Sequence, residues 1–176
     1  VRVSSTSISG KQITLTYVEP GIWFGDVAIF DGDRRTHDAY AHGDSTILCV
    51  AKADFKKILA THVELYEAML RLHARRIRQL FGLVEDLNTL PLRARLAKQL
   101  VHLVRSYGVP SLADAREMRI SLHLAQEELA QLLGASRQRV NQELKAMERE
   151  ESIRIEPGGL VIRNRDALMR ISEADN

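Results

Sequence analysis

Arg137, Gln138, Asn141 and Gln142 fall within six consecutive positions of this chain, and their side chains suit the reading of base edges. An arginine can contact the O6/N7 pair of guanine, and glutamine or asparagine can pair with adenine N6/N7. On a helix these four residues share the face opposite Val140 and Leu144. Arg139 completes the polar set, and Lys145, a turn and a half further on, suits a phosphate. Ser136 precedes them all, and its hydroxyl can cap the free amides that open a helix.

Such side chains work only if two short helices cross steeply and hold them outward. The stretch from Gln126 to Leu144 meets that demand. Ala130 is small where the helices must touch, and Gly134 permits a left-handed turn between them. Val140 and Leu144 can pack back on Leu129 and Leu133. Residues 126–147 therefore predict a helix-turn-helix. Ala125 offers no side-chain cap, so the first helix is expected to fray at its start. Ile153-Arg154-Ile155 and Leu160-Val161-Ile162 read as two strands joined by Glu156-Pro157-Gly158-Gly159. A hairpin there makes the motif a winged helix.

The remainder divides by period. In residues 1–53, Ile13, Leu15 and Tyr17 alternate with polar residues and predict a strand with those three facing inward. Thr46-Ile47-Leu48-Cys49-Val50 predicts another, and Gly and turn residues at short intervals suggest a β-roll. Residues 54–88 predict a short helix, Phe55 to about Ala60 capped by Asp54, and a long one from about Val63 to Leu87. Tyr66, Leu70, His73, Ile77, Leu80, Val84 and Leu87 are spaced alternately four and three, the seam of a helix that pairs with a second copy. An amphipathic helix packed on its own domain is the alternative. Pro91 separates this unit from residues 89–176, because it disfavours helix in the residue before it. The next helix, Leu92 to about Ser106, places Leu96, Leu100, Leu103 and Val104 on one stripe. Charge is nearly balanced, 25 Lys+Arg against 23 Asp+Glu. Pattern, not electrostatics, thus carries the reading.

A β-roll, a long dimer helix, a proline-marked hinge and a winged helix-turn-helix, in that order, resemble the Crp/Fnr family of bacterial transcription regulators. The most specific pieces are Gly25-Asp26-Val27-Ala28-Ile29-Phe30, Arg35-Thr36-His37-Asp38-Ala39 and Gly134-Ala135-Ser136-Arg137-Gln138. The resemblance implies an α+β fold: a jelly-roll-like β-roll entered near its middle at Val1, the family's first strands lying before it, then a dimerisation helix and a winged helix-turn-helix. It implies a cytoplasmic homodimer that binds double-stranded DNA at an inverted repeat and contacts RNA polymerase. It also implies an effector site. Gly25 and Asp26, with Val27, match the Gly-Glu pair that holds a ribose in cyclic-nucleotide-binding members, with Asp for Glu. Arg35 and Thr36 match the Arg-Ser/Thr pair that holds the cyclic phosphate. Leu80 and Phe81 stand where the cyclic-AMP-binding relative contacts adenine through Thr and Ser, and they cannot make those hydrogen bonds. The resemblance therefore points to a cyclic nucleotide other than cyclic AMP, or to an unknown effector. The alternative is a constitutive regulator whose β-roll binds no ligand.

Other chemistries have little support. The single cysteine, Cys49, excludes an iron–sulfur cluster within these residues. His37 and His42, five apart, fall on opposite faces of a strand, so no metal site is expected. No nucleophilic triad, Cys/His pair or phosphate loop marks an enzyme. No window approaches the ~18 apolar residues of a membrane span.

Overall fold

The computed structural model describes residues 1–10 and 12–173. The chain begins with an antiparallel hairpin, β1 (Arg2–Thr6) and β2 (Gln12–Tyr17), and β3 (Asp38–Tyr40) pairs on the other side of β1. The helix α1 (Val27–Phe30) lies between β2 and β3. Helices α2 (Lys52–Thr61), α3 (Glu64–Thr89) and α4 (Leu92–Tyr107) follow. The C-terminal part runs β4 (Gly108–Pro110), β5 (Met118–Ile120), α5 (Gln126–Leu132), α6 (Arg137–Arg149), β6 (Ile153–Glu156), β7 (Gly159–Ile162) and α7 (Arg165–Glu173). Its sheet has the order β4-β5-β7-β6. The fold is α+β, with two sheets, one long helix and a C-terminal helix-turn-helix bearing a wing.

The N-terminal sheet differs from expectation in its facing. Ile13 and Leu15 are exposed, and Thr14 and Tyr17 are buried. The cause is a bulge. Val3 pairs with Thr16 and Ser4 with Thr14, which leaves Leu15 as an extra residue in β2. An extra residue breaks the two-residue alternation and turns later side chains to the other face. Thr14 and Tyr17, three apart, thereby share one face. Residues 46–50 form no strand: they pair with no described strand, and Ile47, Leu48 and Val50 stay exposed. The cap of α2 is also earlier than expected. Ala51 precedes the helix, and Asp54 sits in the first turn, paired with Lys57 Nζ at 3.1 Å.

The continuous core lies C-terminal to Pro91. Leu96, Leu100, Leu103 and Val104 of α4 all turn inward, as their spacing requires, and meet Leu129, Val140, Leu144, Met147, Ile153 and Leu168. Each fully buried leucine contributes about 1.5–3 kcal/mol, so this unit is held by apolar packing. Pro91 stands immediately before α4 with an extended ψ of 157°, and Leu90 alone separates it from α3. In contrast, α3 buries no residue. Four elements escaped the sequence reading, among them α1, a single turn of four residues. The strands β4 and β5 are three residues each, too short for a period. The helix α7 opens where Asn164 Oδ1 accepts the Ala167 N–H, at 2.9 Å.

Candidate nucleic-acid interface and effector segment

Gly134 makes the turn between α5 and α6 with φ of +60°, a conformation that costs other residues roughly 1–2 kcal/mol. Leu129, Ala130, Leu133, Val140 and Leu144 are all buried at the crossing. Ser136 caps α6, its Oγ accepting the Arg139 N–H at 3.4 Å. The start of α5 has no side-chain cap, but Glu128 Oε2 reaches back to accept the Ala125 N–H at 3.1 Å. The carboxylate thus serves the Ala125 amide, a different donor from the first-turn amides that a side-chain cap would meet.

The outer face of α6 carries Arg137, Gln138, Arg139, Gln142 and Lys145, all exposed. Asn141 is only half exposed, and its Oδ1 accepts from Gln126 Nε2 at 3.4 Å. Of the residues expected to read bases it is the one already engaged within the protein. The wing strands β6 and β7 pair from Ile153↔Ile162 to Glu156↔Gly159. Glu117 anchors their base, 2.6 Å from Arg154 and 3.0 Å from Arg163. At the tip, the ring of His123 packs so close to Gly158 that a β-carbon there would lie 2.6 Å from it.

The N-terminal candidates separate into two groups. Arg35 Nη1 donates to the Gly25 carbonyl at 3.3 Å, and Thr36 Oγ1 is 2.8 Å from His37 Nδ1. These groups face solvent, as do Val27, Leu80 and Phe81. Asp26 does not. It is 1% exposed, and both its oxygens accept from Arg76 Nη1, at 3.0 and 3.2 Å. Arg76 also donates to the Trp23 carbonyl. His73 Nε2 lies 3.2 Å from Asp26 Oδ2, with its ring edge-on to Phe30. Asp26 therefore pairs with α3 in an ion-paired latch, and His73 of the expected seam lies beside it. In sequence Arg76 is one of four arginines, with Arg71, Arg75 and Arg78, within eight positions. Nothing local signals its role, because its partner is fifty residues away.

A capped helix with a polar outer face, crossed by a shorter helix and followed by a hairpin, defines a winged-helix DNA-binding protein. Residues 94–171 match the Crp-like helix-turn-helix domain, and residues 1–62 match the cyclic nucleotide-binding domain. The chain is 31% identical over 170 residues to a CRP-like cAMP-activated global transcriptional regulator of Mycobacterium tuberculosis, covering 97% of this chain and 75% of the relative. It is 28% identical over 172 residues to a cyclic AMP receptor protein of Thermus thermophilus, covering 98% and 75%. A solved CRP-family transcriptional regulator, also from Thermus thermophilus, shares the fold at a TM-score of 0.79 and 24% identity, covering 99% and 84%. The chain belongs to the Crp/Fnr family of transcription regulators. It is a DNA-binding regulator with a cyclic-nucleotide-binding-type N-terminal part, and its family is not one of enzymes.

Proposed function

We propose that the protein is a homodimer that reads an inverted repeat, with α6 of each copy in the major groove. The observation that carries this reading is the two-faced character of α6. Val140, Leu144 and Met147 are buried, and Arg137, Gln138, Arg139, Gln142 and Lys145 are exposed on the opposite side. In a helix-turn-helix the first residues of the second helix meet base edges, and a dimer reads half-sites about one helical turn apart. Pairing through α3 is supported by Tyr66, Leu70, Ile77, Leu80, Val84 and Leu87, all exposed in the single chain. The division of labour follows: 1–53 as the effector part, 54–88 as the helical dimer unit and 89–176 as the DNA-binding part. Such a regulator acts in the cytoplasm with RNA polymerase. No described helix is long and apolar enough to cross a membrane.

The effector is a small molecule held by the N-terminal part, and a cyclic nucleotide fits the domain it matches. Arg35 is the cation beside Gly25 that would meet the phosphate. Leu80 and Phe81 are apolar and speak against cyclic AMP. The latched Asp26 favours the second reading, a constitutive regulator with no ligand. Selection of bound DNA from a random library, with and without cyclic AMP and cyclic GMP, tests the scheme. An inverted repeat is expected, and no enriched sequence would overturn the reading of α6. Calorimetry with both nucleotides on the parent and on Arg35→Ala decides the effector. Binding lost on substitution supports the phosphate role, and no binding by the parent supports the constitutive reading.

A further inference from the structure

The sheet β2-β1-β3 lies against α5, and its contacts there are polar and directional. Gln131 Oε1 accepts two hydrogen bonds from Thr14, one from the backbone N–H at 2.9 Å and one from the hydroxyl at 2.8 Å. Thr14 is 1% exposed, so water cannot replace Gln131 as the acceptor. One turn earlier on α5, Glu128 Oε1 pairs with Arg2 Nη1 at 3.1 Å. The other oxygen of Glu128 caps α5, so the ion pair and the cap share one carboxylate. His42 Nε2 donates to the carbonyl of His123, in the loop leading into α5, at 2.6 Å. On α4, Ser106 Oγ donates to Glu19 Oε1 at 2.6 Å. All these contacts join the N-terminal part to the DNA-binding part without passing through α3 or Leu90-Pro91.

In this motif the first helix crosses the DNA backbone while the second lies in the groove. Leu129, Leu133, Val140 and Leu144 pack α5 and α6 into one unit, so whatever fixes α5 also fixes the tilt of α6. In a dimer joined through α3, the separation of the two α6 helices depends on the angle at Leu90-Pro91. Lys98 Nζ and Asp86 Oδ1, 2.6 Å apart, brace that hinge, and the sheet on α5 is a second, buried brace. We propose that Thr14 and Gln131, with Arg2 and Glu128, are positioning residues for DNA reading. They set the angle at which α6 is presented, and hence the half-site spacing the dimer accepts, without touching a base. This rests on the reading of α6 and α3 above.

The test selects DNA from a random library with the parent, Gln131→Met, Gln131→Glu and Arg2→Gln. The parent should enrich one spacing. Gln131→Met strands both Thr14 donors, and it should keep the same half-site bases but spread over two or more spacings. Its affinity for the parent's spacing should fall about five- to tenfold, the loss of one or two net hydrogen bonds. Gln131→Glu keeps an acceptor and should keep the single spacing. Arg2→Gln lies at the surface end of the contact, outside the helix-turn-helix core, and should broaden spacing even if Gln131→Met does not fold. The proposal falls if Arg2→Gln and any folded Gln131→Met select the parent's single spacing with the parent's affinity. It falls equally if either changes the half-site bases, since these residues would then be readers. A parent that enriches no inverted repeat would instead fell the reading of α6 and α3, and this proposal with it.

Discussion

Arg137 and Lys145 stand on the same exposed helix face, and they should behave differently. Arg137 opens α6 one residue after its cap, where a guanine would lie. Arg137→Ala should cost roughly 1–3 kcal/mol per half-site and relax preference at one base. Lys145→Ala should weaken binding to all sequences alike and lower the salt slope by about one. Binding across a salt series and a panel of half-site variants separates the two, and equal effects at every base would remove Arg137 as a reader. Tyr17 supplies a second residue-scale expectation. Burial first, and then the nearby Glu128 carboxylate, push its phenol well above the usual range. A raised value means that the folded protein holds this proton more tightly than the unfolded chain. Its contribution is therefore complete below about pH 10, the unfolded value, and is lost as pH rises beyond it. Tyr17→Phe should flatten the alkaline fall of the denaturation midpoint, and an unchanged fall would show that the phenol is not the group responsible. The exposed, capped face that carries the proposed readers was legible in the sequence because type, spacing and cap lie within ten residues. The partners of Asp26 and Thr14 were not, because α3 and α5 bring them from 50 and 117 residues away.

The elements differ in what holds them. Gly134→Ala would place a β-carbon 3.7 Å from Leu87 Cδ2, an ordinary contact. The cost is therefore one of backbone, roughly 1–2 kcal/mol from φ of +60°. It should appear in the melting temperature, and a melting temperature equal to the parent's would show that the turn tolerates a side chain. For α3 the question is its partner. Ile77→Asp together with Val84→Asp places two charges per helix in the proposed seam, where their burial is costly. Light scattering should show monomers, and a persisting dimer would place the interface elsewhere. The period of α4 was readable because its stripe faces a core. The period of β2 misled because a bulge at Leu15 has no signature in alternation. The strand expected at 46–50 did not form because β propensity alone does not pair a segment, and these residues join no described strand.

At the scale of the whole molecule, polar contacts made by two fully buried side chains, Thr14 and Asp26, help to tie the N-terminal part to the rest among the described residues. Thr14 pairs with Gln131 on α5, and Asp26 with Arg76 on α3. Asp26→Asn should lower the denaturant midpoint by the equivalent of about 1–3 kcal/mol, since it leaves Arg76 without its charged acceptor. An unchanged midpoint would mean that the latch holds nothing. The order of parts was legible in the sequence through its resemblance to a family. The way the parts touch was not, because the contacts are single polar pairs with no periodic trace.

Trp23 is the one tryptophan in the sequence. Its ring centroid lies 5.2 Å from that of Phe55, and its carbonyl is held by Arg76. The DNA-binding part has no indole of its own. The chain therefore carries an intrinsic fluorophore at one end and its DNA-reading helix at the other. A shift in emission on adding DNA, with no dye attached, would report directly on communication across the molecule.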